Sequence, residues 1–316
     1  MYCPKRITFI LIALIFAGAV KAQQAPHFTQ NIFNQVFFNP GAAGMSGAIC
    51  ATGVLRSQWV GFKDDEDNRV SPEDFLTTID APIQKIRGGV SAAILQDKIG
   101  YRTNSGILLG YSYHKELNSG TLGIGMQINM TSRKDDFAKY DAEGSSDLSG
   151  IGDNSTAMLF DVNFGLYYKR PNSYYMGVSV ANLLESKSKA LNDNGLAFYG
   201  DRTFYVTAGY DYMLPNNPEF KIEPYLLVET DAKEFQINIA SLVKFKDKFW
   251  GGIGYRYQES ISFMAGLQIK DIRIGYAYDI GLLDIGSGGS HEIMAGYCFK
   301  LNLNKGKRIY RNTRFL

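Results

Sequence analysis

Ser112 and His114 are the residues whose types and spacing come closest to those of a catalytic pair. They stand two positions apart, so in a β-strand both side chains lie on one face. A serine activated by a histidine can attack an ester, and a lipid-modifying membrane enzyme could hold such a pair near its rim. Gly110 shares the face, however, and the sequence offers no third residue to orient the histidine. We therefore predict that this pair is not catalytic.

Histidine and acidic residues could also bind a metal ion at a few positions. His291 and Glu292 open the last predicted strand, but no further ligands stand at a diagnostic spacing. The acidic runs 64–67 and 135–136 could attract Ca²⁺, yet neither has the spacing of an EF-hand loop. The glycine-rich run 286–289 lacks the lysine and helix of a phosphate-binding loop. We predict no metal site and no cofactor, and interpret these residues as solvated loops and a polar strand start.

The elements that carry these residues are marked by a regular alternation of side chains. In the segment 122–131 one face is apolar and comprises Leu122, Ile124, Met126, Ile128 and Met130. The other face is small or polar and includes Gly123, Gly125, Gln127 and Asn129. A side-chain period of two is that of a β-strand, and it recurs along almost the whole chain. In a soluble sandwich the apolar face would pack into a core, whereas in a closed membrane barrel it would face lipid.

The N-terminus favours a membrane or secreted location. Lys5 and Arg6 precede the apolar run 7–20, which is too short for a permanent membrane helix. We predict that residues 1–22 are a signal peptide, after which no long apolar segment follows. The formal net charge of +2 gives no indication of nucleic-acid binding.

Fourteen candidate strands follow an N-terminal arm. We predict a signal peptide at 1–22, an arm at 23–47 in the periplasm or the lumen, an outer-membrane β-barrel at 48–303 and a basic tail at 304–316. The predicted strands lie near 48–59, 73–81, 86–96, 104–116, 120–131, 155–168, 173–182, 202–213, 219–230, 233–245, 248–258, 260–270, 271–280 and 291–303. The fold class is therefore all-β, a transmembrane antiparallel barrel.

The connections between these strands support the barrel over the sandwich. Long loops, at 60–72, 132–154, 183–201 and 281–290, alternate with short turns, at 82–85, 117–119, 170–172 and 246–247. Short periplasmic turns and long outer loops are typical of outer-membrane barrels, although the predicted outer loops at 231–232 and 258–260 are short. An even strand count places both chain ends on the short-turn side. We expect the inner, polar face to line a lumen.

Cys50 and Cys298 are the cysteines that remain after the predicted cleavage. A disulfide between them is possible, but sequence alone says nothing about their distance. We favour two small apolar residues on barrel strands over a disulfide.

The arm and the tail are not explained by the barrel wall. The arm combines large apolar side chains with Asn and Gln amides, so we expect it to pack in the lumen or against a partner. The tail is basic, and its arginines could bind a carboxylate-rich surface if it is not simply solvated. The candidates for partner binding or arm packing are Gln30, Phe33, Asn34, Asn39, Pro40, Gly44, Arg308, Tyr310, Arg311, Asn312 and Arg314.

In these segments the sequence resembles the PorP/SprF family of type IX secretion and gliding-motility membrane proteins. The resemblance begins with the arm residues Gln30, Phe33, Asn34, Asn39, Pro40, Ala43 and Gly44. It continues at 291–293 before the final strand and at 310–315 in the tail, so it spans the mature chain. The family pattern usually has Tyr-Met before the Phe-Asn pair, where this chain has Asn31-Ile32.

The resemblance implies a non-enzymatic outer-membrane barrel that supports export or surface anchoring of secreted adhesin-like proteins. Its implied partners are periplasmic components of the type IX secretion and motility machinery, a secreted surface protein and membrane lipid. Two alternatives remain open from the residues themselves: a passive outer-membrane pore or solute channel, for which a polar lumen would suit water, and a lipid-modifying enzyme using Ser112 and His114.

Overall fold

The chain folds into a closed antiparallel barrel of 14 strands. The computed structural model describes residues 26–64, 70–136, 154–188, 198–282 and 288–299. Within these ranges no helix is long and apolar enough to cross a membrane. The predicted fold class is confirmed, because each of the fourteen predicted strands corresponds to one barrel strand.

The strands alternate apolar and small or polar residues along most of their length, and many are rich in β-branched and aromatic side chains. Their bounds are β1 Ile49–Ser57, β2 Glu73–Ile83, β3 Gly88–Ile99, β4 Arg102–Leu117, β5 Gly120–Asp136, β6 Asn154–Arg170, β7 Tyr174–Ala181, β8 Lys187–Ser188, β9 Phe198–Tyr199, β10 Thr203–Tyr210, β11 Tyr212–Met213, β12 Phe220–Thr230, β13 Phe235–Phe245, β14 Phe249–Arg256, β15 Ser260–Ile269, β16 Ile272–Gly281 and β17 Ser290–Phe299.

Every barrel strand pairs with its sequence neighbours, and β1 pairs with β17 to close the sheet. β10 and β11 act as one wall strand interrupted at Asp211, since both pair with β12. β8 and β9 form a separate two-stranded hairpin between β7 and β10. Closure leaves no open edge along the shared height of the wall, which is the condition for a sheet surrounded by hydrocarbon.

The two faces of the wall have the polarity that the alternation predicted. On β5, Ile124, Met126, Ile128 and Met130 point outward and are 37–57 % exposed. Gln127, on the opposite face, is 1 % exposed. Tyr and Phe side chains are common near both ends of the outer surface, as in the aromatic girdles of membrane barrels.

The barrel has two different ends. One end carries the connections 58–72, 137–153, 182–202 and 282–289, and we call it the long-loop end. The other carries connections such as 118–119, 171–173 and 246–248, and we call it the short-turn end. β1 starts and β17 finishes at the short-turn end. β5 and β6, at 17 residues each, rise above β7, which has 8 residues, at the long-loop end.

The inner face is not uniformly polar, which corrects the expectation of a polar lumen. Leu76, Leu242 and Met294 point inward and are fully buried. They belong to one apolar cluster that also contains Phe28 and Phe38 from the N-terminal arm. The alternation along the strands did not predict these apolar inward residues, because the surface they contact is provided by the arm.

Cys50 and Cys298 are joined by a disulfide, so the preference for two unpaired cysteines was wrong. The two residues face each other in the β1–β17 register, with their Cα atoms 4.1 Å apart. Their separation of 248 residues hides this proximity in the sequence, and only barrel closure brings them together. The disulfide therefore fastens the first strand to the last at the short-turn end.

Candidate functional site in the lumen

The most distinctive feature of the interior is the N-terminal arm, residues 26–47, which passes through the lumen from one end to the other. His27 lies beside Glu229 near the long-loop end, with Nδ1 and Oε2 3.5 Å apart. Gly44, close to the start of β1, donates its N–H to Asp80 near the short-turn end at 2.9 Å. The even number of strands predicted that both chain ends lie on the short-turn side. This is correct for the start of β1 and the end of β17, but not for the arm, which runs back through the lumen to the long-loop end.

The long-loop end of the arm is held by two carboxylates. Glu292 accepts the main-chain N–H groups of Thr29 and Gln30 at 2.7 and 2.8 Å. Asp279 accepts the hydroxyl of Thr29 at 2.8 Å. All four residues are no more than 4 % exposed. Because a buried main-chain N–H without a partner is unfavourable, the wall carboxylates fix the position of this segment.

Two buried arginines balance these carboxylates. Arg56 contacts Asp279 at 2.7 Å and Glu292 at 3.3 Å, and donates to the Thr29 hydroxyl at 2.8 Å. Arg256 contacts Glu259 at 2.7 Å and lies 3.8 Å from Asp279. Both arginine side chains are 1 % exposed. We call Arg56, Arg256, Asp279 and Glu292, together with Thr29, the upper clamp.

Glu259 stands in the turn after β14, outside the wall strands. Burial alone would raise the pKa of its carboxyl, but Arg256, His27 and Arg56 outweigh burial and lower this pKa below its ordinary value. The carboxylate is therefore ionised at neutral pH and neutralises part of the positive charge of Arg256. Glu259 thus links the upper clamp to the turn that follows β14.

Aromatic side chains of the arm fill the middle of the lumen. Phe33 packs against Trp250 with ring centroids 5.0 Å apart, and the Arg273 guanidinium lies 4.6 Å from its centroid. Phe38 contacts Tyr205 edge-to-face at 5.6 Å. Phe28 is completely buried. This packing gives the arm a large apolar contact area with the wall, in addition to its polar anchors.

Asparagine amides fix the lower half of the arm. Thr78 donates its hydroxyl to the Asn34 Oδ1 at 2.8 Å. Asn39 donates to the carbonyls of Leu166 and Val178 at 2.9 and 3.2 Å, while its Oδ1 accepts the N–H of Gly41 at 2.8 Å. The last bond caps the turn Pro40–Ala42, so Asn39 orders the arm and attaches it to two strands at once.

Small residues let the segment 40–44 lie directly on the wall. A Cβ atom at Gly125 would overlap the main chain of Pro40, and one at Gly89 would overlap that of Ala43. Gly44 itself has a φ of +73°, a conformation that glycine adopts without strain. The Pro-Gly-Ala-Ala-Gly run is therefore matched to a glycine-lined patch of β3 and β5.

Ser112 and His114 contribute to this attachment rather than to each other. The Ser112 hydroxyl donates to the Gly41 carbonyl at 2.9 Å. His114 Nε2 lies 2.9 Å from the Ala43 carbonyl oxygen. Both side chains that suggested a catalytic pair thus contact main-chain carbonyls of the arm.

The structure brings the six predicted arm residues together along a single path through the lumen. Gln30, Asn34 and Asn39 are fully buried, and their contacts are with the wall or the arm itself. The Gln30 side-chain amide makes no hydrogen bond within the described part of the chain. The predicted tail residues Arg308, Tyr310, Arg311, Asn312 and Arg314 lie outside the described residues.

The sequence reading missed the upper clamp. Arg56 and Arg256 were not singled out, and Glu292 was considered as a metal ligand, as a polar strand start and as part of the family resemblance at 291–293, but not as a partner of the arm. Within the described ranges no group of His, Cys, Asp and Glu has the arrangement of a metal site. One available signal was charge: Arg56, Arg256, Asp279 and Glu292 stand on inward positions within a few residues of the long-loop end of their strands.

Comparison with solved structures identifies membrane barrels. The toluene transporter TbuX of Ralstonia pickettii has a TM-score of 0.52 at 12 % identity, over 84 % of this chain and 93 % of that chain. The P. putida toluene transporter TodX gives 0.44 at 10 % identity, over 83 % and 92 %. Omp33 of Acinetobacter baumannii gives 0.44 at 8 % identity, over 80 % and 98 %. At these identities the likeness establishes the fold alone. No curated protein matches the sequence.

The fold and its apolar outer band define an integral outer-membrane β-barrel, here with a polypeptide arm inside the lumen. The family model for the type IX secretion system membrane protein PorP/SprF matches residues 20–297. The chain therefore belongs to the PorP/SprF family, as the arm residues suggested.

Proposed function

We propose that this chain is a plugged, non-enzymatic barrel that supports export or surface anchoring of adhesin-like proteins secreted by the type IX system. The observation that carries the proposal is the arm: it is held by the upper clamp and packed through the lumen. A barrel filled in this way is suited to presenting a rigid surface to other proteins. Family membership supports a role in type IX secretion.

The occupied lumen argues against the alternative of a passive pore. An open channel needs a continuous polar path, whereas the centre of this lumen contains Phe28, Phe38 and Trp250 in one buried cluster. The lipid-enzyme alternative has less support still, because Ser112 and His114 both contact arm carbonyls. Neither alternative gives the arm a role.

The proposal is tested by isolating the tagged full-length protein from native outer membranes and identifying what co-purifies. We expect a secreted surface protein with a type IX C-terminal signal domain, together with periplasmic components of the machinery. In planar bilayers the same preparation should show no large steady conductance. A large open conductance with no co-purifying secreted protein would replace this proposal with the pore.

The basic tail, expected on the periplasmic side, gives a second test. Deletion of residues 305–316 should leave a folded barrel but abolish secretion or surface display of the client protein. A matched control replaces the tail by a neutral Gly-Ser segment of the same length, which separates loss of the basic residues from loss of length. Normal display by a stable truncated protein would exclude a role for the tail.

A further inference from the structure

The upper part of β6 is an open sheet edge at the long-loop end. β6 pairs with β5 from Asn154 onward, but its pairing with β7 covers only Phe164 to Arg170. Within the described part of the chain, the segment 154–161 therefore pairs with a strand on one side only. Such an edge offers unpaired N–H and C=O groups to another chain.

Val162, the residue after the open segment, shows in which direction the unpaired N–H and C=O groups of that segment point. The Val162 carbonyl accepts the N–H of Leu183 at 2.9 Å, on the side away from β5. In a strand, the main-chain groups of every second residue point the same way. Those of Thr156, Met158 and Phe160 consequently point to the same side as Val162. Among the residues that the structure describes, none pairs with them there.

Asp161 marks the lower limit of the open edge. Its carboxylate accepts the N–H groups of Val162, Leu184 and Ser186 at 2.8 to 2.9 Å. Through these bonds the Asp161 carboxylate holds the connection after β7 against β6 at the level of residue 162. Among the described residues, none pairs with the part of β6 above Asp161 on the side away from β5.

The hairpin β8–β9 does not cover this edge, because it packs on the inner face of the wall. Phe198 joins Ala157 and Leu159 in a buried cluster, and the Arg133 guanidinium lies 3.9 Å from its ring centroid. On the opposite, outer face, Met158 and Phe160 are 62 % and 53 % exposed. In the β5–β6 register Phe160 lies opposite Met130, Met158 opposite Ser132 and Thr156 opposite Lys134, so the edge leaves the apolar band above residue 160.

We propose that the β6 edge at Thr156–Phe160 binds an extended strand of the secreted partner by β-augmentation. This inference rests on the proposed function, which delivers a protein to the long-loop side of the barrel. Main-chain hydrogen bonds to residues 156, 158 and 160 provide the pairing, and the exposed Met158 and Phe160 provide apolar contact on one face. The partner segment is therefore an unpaired strand with an apolar residue at alternate positions.

Photocrosslinking in living cells tests whether the edge is occupied. Phe160 is replaced by benzoylphenylalanine, which keeps an aromatic side chain at the edge. The matched control places the same residue at Ile253 on β14, which is 61 % exposed in the paired part of the wall. We expect an adduct with the secreted protein at position 160 and none at position 253. Absence of a polypeptide adduct at position 160 overturns the proposal, and so does an adduct with a second copy of the barrel.

Proline substitution tests whether the main chain does the binding. Met158→Pro removes an N–H on the free side while leaving the β5 hydrogen bonds in place, and proline is tolerated on sheet edges. Met158→Ala removes the side chain but keeps the N–H. We expect Met158→Pro to reduce co-purified partner by about tenfold or more, and Met158→Ala to change it by less than about threefold. Thr156→Pro is the second variant if Met158→Pro does not yield a folded barrel.

The outcomes separate this proposal from the proposed function. Capture of the secreted protein by the wild type and equally by both proline variants overturns strand pairing and leaves the proposed function intact. Equal loss in Met158→Ala and Met158→Pro also overturns it, because side-chain contact then explains the binding. If the wild type captures no secreted protein, the proposed function fails, and this inference, which rests on it, fails as well.

Discussion

The Glu292 carboxylate accepts the main-chain N–H of Thr29 at 2.7 Å, although the two residues are 263 positions apart. Glu292 lies at the start of the last strand, directly opposite Arg56 near the end of the first. The arm, the first strand and the last strand therefore meet at one point. Arm docking is for this reason coupled to barrel closure: the upper clamp is complete only when β1 and β17 have paired.

Glu292→Gln should release the long-loop end of the arm without unfolding the wall. The variant keeps the shape of the side chain but leaves Arg56 with one carboxylate fewer, and breaking a buried ion pair costs about 3–5 kcal/mol. Chymotrypsin is a suitable probe, because the arm contains Phe28, Phe33, Phe37 and Phe38 in buried or partly buried positions. We expect cleavage in the arm to become about a hundredfold faster where cleavage requires its release.

Asp247→Asn is the matched control for this experiment. Asp247 forms an ion pair with Lys221 at 2.9 Å, but it is 62 % exposed and is not part of the upper clamp. Loss of an exposed pair changes stability by about 0–1 kcal/mol. Chymotrypsin should therefore cut this variant as slowly as the wild type. If chymotrypsin cuts the arm of Glu292→Gln as slowly as that of the wild type, aromatic packing and not the upper clamp retains the arm.

Gly125→Ala should displace the lower arm. The added Cβ overlaps the main chain of Pro40, which cannot move as freely as a side-chain end. Forcing such contacts in a packed interior costs about 1–3 kcal/mol. The control is Gly254→Ala, since a Cβ at position 254 would have its nearest neighbour, the Ser262 Cβ, at 3.4 Å. We expect chymotrypsin to cut the arm faster in the first variant alone, and similar rates in both would contradict a tight arm–wall contact at Gly125.

Much of the wall could be predicted from the sequence because a strand records its environment residue by residue. The alternation at Leu122–Met130 and the rhythm of long and short connections are local properties, and together they identified the fourteen strands and their two faces. The arm was likewise recognisable as a segment that does not alternate. Its amides and aromatic residues gave a reason to expect packing in the lumen or against a partner, and the structure places it in the lumen.

The contacts inside the barrel could not be predicted, because they join residues far apart in the chain. The pairing of Cys50 with Cys298 depends on the register of the closing seam. The upper clamp depends on the depth to which the arm rises, and strand parity gives no information about an arm that doubles back. Ser112 and His114 were noticed for their chemistry, but their partners, the Gly41 and Ala43 carbonyls, are visible only in the folded chain.

The Cys50–Cys298 disulfide should stabilise the closed barrel. It links two strands separated by 248 residues, and removing a disulfide typically costs about 2–5 kcal/mol. We expect the double variant Cys50→Ala/Cys298→Ala to lose its folded, heat-modifiable band on electrophoresis at a lower temperature than the wild type. Adding reductant should shift the wild type to the same temperature and leave the double variant unchanged. An unchanged wild type under reductant, with the disulfide verified as broken, would contradict the prediction.

The path of the arm makes a topological prediction about its first residues. The described arm begins at Pro26, beside the long-loop ends of the strands, whereas β17 finishes at the short-turn end. A short epitope placed directly before Pro26, behind the predicted signal peptide, should therefore bind antibody on intact cells. The same epitope placed after Asn304 should bind only after the outer membrane is permeabilised. Labelling of the first epitope only in permeabilised cells would mean that the arm does not reach the cell surface.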